Sequence, residues 1–151
     1  MLRTRFNDEL KQAMKARDRR AISTLRLILA GLKDRDIEAR ARGKAEGIGD
    51  DEITEMLQKM VRQRRESIEL YQKGNRPELA QQEAEEIGII QRFLPQQLDE
   101  AETAKAVEAL IAELGAASIK DMGRVMAGLK QRYAGRIDLA TAGRLVKQRL
   151  A

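Results

Sequence analysis

The sequence predicts an all-α protein, an N-terminal four-helix region with a long helical hairpin followed by a small three-helix C-terminal domain. Three observations carry this. Apolar residues recur every three or four positions along most of the chain. Only two prolines occur, and strand-like alternation of Val, Ile and Tyr is missing. Capping residues and glycines divide the periodic stretches into seven segments. At 151 residues and 42% apolar content, the chain can build one domain or two small helical ones. Aromatics make up 3% of it, so the core falls to Leu, Ile, Val, Met and Ala.

A first helix is expected from Leu2 to Ala16, with Leu2, Phe6, Leu10 and Met14 spaced by four. A second runs from Arg19 to Arg42 and turns Ile22, Leu25, Ile28, Leu29 and Leu32 inward. Three glycines between Gly43 and Gly49 disfavour helix and make that stretch a flexible loop. Asp50 can cap a third helix reaching Gln72, whose acidic first turn (Asp51, Glu52) suits the helix dipole. Gly74-Asn75-Arg76-Pro77 is a turn, and Pro77 fits the first position of a fourth helix ending near Leu94.

Pro95 closes that helix, because the residue before a proline avoids the helical region. The boundary is therefore placed at Pro95–Leu98, giving domains 1–95 and 96–151. Asp99 starts a fifth helix, with Val107, Leu110, Ile111 and Leu114 inward and Gly115 as its stop. Ser118 can cap a sixth, and Asp121 sits where a capping box has its acid. Met122, Val125, Met126, Leu129 and Tyr133 form its apolar stripe. After a turn at 134–137, Asp138 can cap a seventh helix, with Leu139, Ala142, Val146 and Leu150 as the matching stripe.

Several residues break these patterns. Arg64 falls inside the apolar stripe of the third helix, and Glu83 and Glu86 fall inside that of the fourth. A buried Arg without a partner is very costly, so the simplest solution is an ion pair with Glu83 or Glu86 across a helical hairpin. The alternative is a carboxylate pair for acid–base or metal chemistry. Arg62, Arg64 and Arg65 make a short basic cluster, but aromatics for base stacking are nearly absent around it. Gly123 and Gly128 lie inside a good helix, where each costs about 1 kcal/mol relative to Ala. They let either a neighbouring helix or an RNA backbone come close. Gly135 is a stop that lets the chain reverse.

There is no Cys and no His. A thiol nucleophile, a Ser-His-Asp triad and a His- or Cys-ligated zinc site are thereby excluded, and any proton transfer has to use Asp, Glu, Lys or Tyr. No catalytic residue, metal or cofactor is expected. No apolar run has the length of a membrane span, and the first residues lack the apolar core of a signal peptide. No membrane partner and a cytoplasmic location are the resulting expectations.

The net charge is +5. Residues 1–44 hold 13 Lys and Arg against 6 Asp and Glu, residues 45–95 hold 7 against 11, and residues 96–151 hold 9 against 7. A basic first part packing beside an acidic second part accounts for this pattern. In the last two helices Lys120, Arg124, Lys130, Arg136, Arg144 and Lys147 lie on or flank the outward faces. Such residues either are ordinary surface charge or position a nucleic acid through its phosphates.

The stretch Lys120-Asp121-Met122-Gly123-Arg124-Val125-Met126, with Gly135, Val146-Lys147 and Leu150, resembles the C-terminal signature of the GatB/YqeY family. Thr24-Leu25-Arg26-Leu27, Gln63-Arg64-Arg65-Glu66-Ser67-Ile68, Gly74-Asn75-Arg76 and Phe93-Leu94-Pro95-Gln96-Gln97-Leu98 resemble its stand-alone members. The likeness spans nearly the whole chain. In the amidotransferase for which the family is partly named, the corresponding tail is implicated in holding tRNA. The resemblance therefore implies a non-catalytic tRNA-binding or tRNA-associated helper. It leaves open a component of a carbon–nitrogen ligase with glutamine as amido-N-donor, acting only within a complex, and a helical protein adaptor. Autonomous ligase activity is not expected. The chain lacks a Walker-type phosphate loop, an amidase Ser-Ser-Lys signature and the large body that precedes the tail in the amidotransferase subunit.

Overall fold

In a computed structural model describing residues 1–151, the chain forms seven α-helices and no strand. They are α1 (Leu2–Ala16), α2 (Arg19–Ala41), α3 (Asp50–Lys73), α4 (Pro77–Gln91), α5 (Glu100–Leu114), α6 (Met122–Arg132) and α7 (Leu139–Leu150). A single 3-10 turn, Ile119–Asp121, precedes α6. Two compact units result, Met1–Leu94 and Pro95–Ala151, each with its own apolar cluster.

Helices start where a side chain satisfies their free N–H groups. Asp18 accepts from the Ala21 N–H at 3.1 Å to open α2. Asp99 accepts from the Glu102 N–H at 2.7 Å while the Glu102 carboxylate accepts from the Asp99 N–H at 3.1 Å, a reciprocal box that opens α5. Three expectations need correction. Gly49, not Asp50, caps α3, because its carbonyl takes the Ile53 N–H; Asp50 joins the acidic first turn instead. Helix α4 stops at Gln91 rather than Leu94, since Arg92, Phe93 and Leu94 donate to carbonyls three residues back and tighten the chain ahead of Pro95. Residues after Ser118 form the 3-10 turn before α6 begins at Met122.

In the first unit α3 and α4 form a hairpin, α2 packs on both, and α1 packs on α2. Phe6, Leu25, Ile28, Ile53, Leu57 and Ile90 are almost completely buried, each contributing roughly 1.5–3 kcal/mol. Phe6 meets Phe93 edge to face at 4.8 Å, which ties α1 to the end of α4, and Arg5 lies over the Phe93 ring. Met14 does not point inward as expected: it is 51% exposed, and Ala13 is buried in its place. Each four-residue step overshoots a full turn by about 40°, so a strict four-residue ladder winds off the core face after three steps.

The segment after α2 is anchored by a charge that the sequence pattern does not single out. Asp36 is buried on α2 and takes both guanidinium nitrogens of Arg3, at 2.6 and 2.7 Å, together with the Ile48 N–H at 2.9 Å. Arg3 also donates to the Ile48 carbonyl at 2.7 Å, and Ile48 itself is buried. Gly47 is obligatory here. Its φ is +81°, and a Cβ would collide with the Asp36 carboxylate. Gly47 thus serves a clasp closed by an ion pair, where the sequence suggests only flexibility.

In the second unit α5, α6 and α7 pack pairwise around Val107, Leu110, Val125, Leu129, Ala142 and Val146. Residues 95–98 are pinned to the α6–α7 turn: the Leu98 N–H donates to the Arg136 carbonyl at 2.8 Å, and Gln97 Nε2 to the Gly135 carbonyl at 2.6 Å. A fragment of residues 95–151 is accordingly expected to be helical by circular dichroism; a coil spectrum would show that this core does not hold by itself.

The Arg3 guanidinium holds the Asp36 carboxyl at about 2, below its ordinary value, with the Ile48 N–H adding to the effect against the cost of burial. A depressed acid stabilises the fold above its unfolded value, near 4, and that contribution drains as pH falls toward 2. Urea unfolding is expected to show Asp36→Asn costing about 2 kcal/mol at pH 7, with the gap to the parent shrinking between pH 4 and pH 2. A gap that stays constant over that range would show Asp36 to be unpaired in solution.

Candidate nucleic-acid interface

The six cations singled out in the second unit are all exposed, but they are not equivalent. Arg124 reaches back one turn to Asp121 at 3.1 Å, and the same carboxylate accepts from the Ala117 and Ser118 N–H groups. Those two backbone bonds, with Arg124 behind them, hold the Asp121 carboxyl below its ordinary value. Arg144 on α7 pairs with Glu100 on α5 at 2.7 Å. Arg136 donates through Nε to the Gln96 carbonyl at 3.1 Å, fixing the chain that enters α5. Lys130 lies in the last turn of α6. Lys120 in the 3-10 turn and Lys147 on α7 extend into solvent with no carboxylate partner.

Two further arginines follow the same rule. Arg132 on α6 pairs with Glu113 on α5, and Arg149 on α7 pairs with Glu108 on α5, both at 2.5 Å. Helix α5 thus offers three carboxylates to the arginines of its neighbours, and the outward basic face is interleaved with acid. The sequence pattern exposes the cations but not their partners, because Glu100, Glu108 and Glu113 lie 19 to 44 residues away along the chain. Solvated pairs of this kind contribute about 0–1 kcal/mol each, so their arginines can exchange a carboxylate for another anion at small cost.

The glycines separate by role. At Gly128 an added Cβ would stand 2.7 Å from a Leu110 methyl, so α6 and α5 approach closely there. At Gly123 a Cβ would meet nothing within 4 Å, so the helix-packing role suggested for it does not hold; that backbone is open to solvent. Gly135 has φ +72° and makes the reversal between α6 and α7.

In the first unit Arg64 Nε donates to Glu86 at 2.9 Å and lies 4.0 Å from Glu83. The Arg64 side chain is 14% exposed and that of Glu86 10%, so the primary pair is nearly dry. Arg64 also donates to the Met60 carbonyl at 3.2 Å. Glu83 sits at the edge, where burial first and then the neighbouring negative Glu86 raise its carboxyl above the ordinary range, with Arg64 opposing. Glu86 is the structural partner; Glu83 is a second carboxylate that one guanidinium does not fully satisfy. The basic neighbours Arg62 and Arg65 differ: Arg62 is half-buried and engaged, whereas Arg65 is exposed.

A family profile described as "Yqey-like protein" matches residues 3–150. The chain belongs to the YqeY-like family. It is 34% identical over 108 residues to the protein named "Altered inheritance of mitochondria protein 41, mitochondrial" of Lachancea thermotolerans, covering 70% of this chain and 56% of that protein. It is 32% identical over 123 residues to the protein of the same name from Vanderwaltozyma polyspora, covering 76% and 63%. The matched segment therefore spans somewhat over half the length of these YqeY-family relatives. Their names correct one expectation. The relatives are named as mitochondrial proteins, which counts against the cytoplasmic location inferred from sequence. The physical reason is that polar first residues argue only against a secretory signal, and a chain without cysteine suits any reducing interior. No helix is long and apolar enough to cross a membrane.

Removing Arg64 leaves Glu86 buried without its cation. Arg64→Ala is expected to cost about 3–5 kcal/mol in urea unfolding, against about 0.5 kcal/mol or less for Arg65→Ala. Glu83→Gln is expected to be neutral or stabilising at pH 7, since an acid with a raised value is ionised there at a cost to the fold. Equal losses for Arg64→Ala and Arg65→Ala would place Arg64 in solvent.

Proposed function

We propose that the chain is a non-catalytic, tRNA-associated helper whose three-helix unit meets RNA phosphates through its outward cations. One observation carries this reading. In a YqeY-family chain whose tail arginines mostly hold acids, Lys120 and Lys147 remain solvated and unpaired in the stretch that resembles the amidotransferase tail. A lysine is a flexible point charge suited to a phosphate backbone, and it needs no fixed geometry to contact one. Arg124 and Arg144 would join it by leaving Asp121 and Glu100, an exchange between two weak solvated pairs. The open backbone at Gly123, between Lys120 and Arg124, lets a strand lie close without a side chain intervening.

The test is filter binding of unfractionated tRNA to the full chain over a salt series. Lys120→Glu with Lys147→Glu is expected to weaken binding about tenfold at about 0.1 M salt. It should also reduce the log–log salt slope by roughly one unit for each phosphate that is no longer neutralised, with the helical signal intact. Parent-like binding by the double variant would remove the tail as the RNA site. No binding by the parent would leave the protein-adaptor reading in its place.

A further inference from the structure

At the corner between α1 and α2 lies an open cleft of about 510 Å3, lined by Met14, Arg17, Arg19, Ile22, Ser23 and Arg26. Seven arginines elsewhere in the chain, Arg3, Arg20, Arg64, Arg124, Arg132, Arg144 and Arg149, hold carboxylates. The three arginines of the cleft hold none. Asp18, between Arg17 and Arg19 in the chain, accepts from the Ala21 N–H and pairs with neither of them. Three guanidiniums around one opening repel one another, and an oxyanion between them removes that repulsion.

Arg17 adds an independent observation. It sits at the C-terminal end of α1 with φ 56° and ψ 35°, a left-handed conformation that suits glycine and strains an L side chain. Its N–H closes the helix on the Ala13 and Met14 carbonyls, as a glycine's would. The side chain therefore contributes nothing to the cap, yet an arginine is carried there at a backbone cost. Met14, turned out of the core, and half-buried Ile22 form an apolar wall of the same cleft.

We infer that this cleft binds a nucleotide phosphate, free or as part of a single RNA strand. Arg17, Arg19 and Arg26 hold the phosphate oxygens, and Met14 and Ile22 pack against the base or sugar. The volume suits a ligand of that size. The site lies in the first unit and does not rest on the reading of the tail.

The experiment is calorimetric titration of the full chain with ADP and, separately, with a single-stranded RNA hexamer at about 0.1 M salt. At least one probe is expected to bind, ADP alone marking a free nucleotide and the hexamer alone a strand. Arg17→Gly combined with Arg26→Ala is expected to weaken that binding at least about tenfold. Arg17→Gly by itself should leave the melting temperature unchanged or raised while lowering affinity, so weakened binding cannot be ascribed to unfolding. Arg65→Ala, which removes an exposed arginine outside the cleft, should bind the probe as the parent does. Failure of both probes to bind below roughly 1 mM, or parent-like binding by the Arg17/Arg26 variant, would overturn the inference.

Discussion

One charge in an apolar stripe constrains the first unit. Arg64 is carried into the α3–α4 interface, where it cannot be left alone, and the hairpin must set α4 in the register that brings Glu86 to 2.9 Å. Slipping α4 by one turn one way would set the guanidinium against Ile89 or Ile90 and strand Glu86, and one turn the other way would exchange Glu86 for Glu83. The apolar residues on either side, Ile53, Leu57, Ile87 and Ile90, are non-directional contacts, whereas the ion pair needs a carboxylate at one place on α4. Glu83 limits how good that arrangement can be, since a second carboxylate shares a single cation.

The same economy recurs through a chain with few aromatics. Asp36 and Arg3 clasp the segment at Ile48 beside α2, and Glu100, Glu108 and Glu113 of α5 hold the arginines of α6 and α7. The clasp closes on a buried carboxylate and is screened by water less than the solvated staples. Basic residues thus divide into those that organise the fold and those left without acid. Lys120, Lys147 and the three arginines of the α1–α2 cleft fall in the second group, and both functional proposals start from them.

Much of the fold is legible in the sequence. Helical periodicity locates every helix, Asp99 and Asp138 act as caps where cap chemistry expects them, and Asp18, which the pattern does not single out, caps α2. Arg64 is legible as a misfit in a stripe, though spacing leaves Glu83 and Glu86 open and only geometry favours Glu86. What local pattern cannot show are partners distant along the chain. Asp36 reads as one more surface acid on α2, yet Arg3 and Ile48 reach it from 33 and 12 residues away. Arg17 reads as surface charge until its backbone conformation is seen, and Met14 is drawn into the core only by a ladder that winds away from it.

Whether the Arg64–Glu86 pair sets the hairpin is tested most directly by a double-mutant cycle on equilibrium stability. Arg64→Leu leaves Glu86 and Glu83 without their cation, Glu86→Leu leaves Arg64 only the more distant Glu83, and the double variant removes the close pair and leaves Glu83 alone at the edge. The double variant is expected to be more stable than either single variant, with a coupling energy of at least about 1.5 kcal/mol. Additive losses, within about 0.5 kcal/mol, would contradict this and show that apolar packing alone fixes α3 against α4.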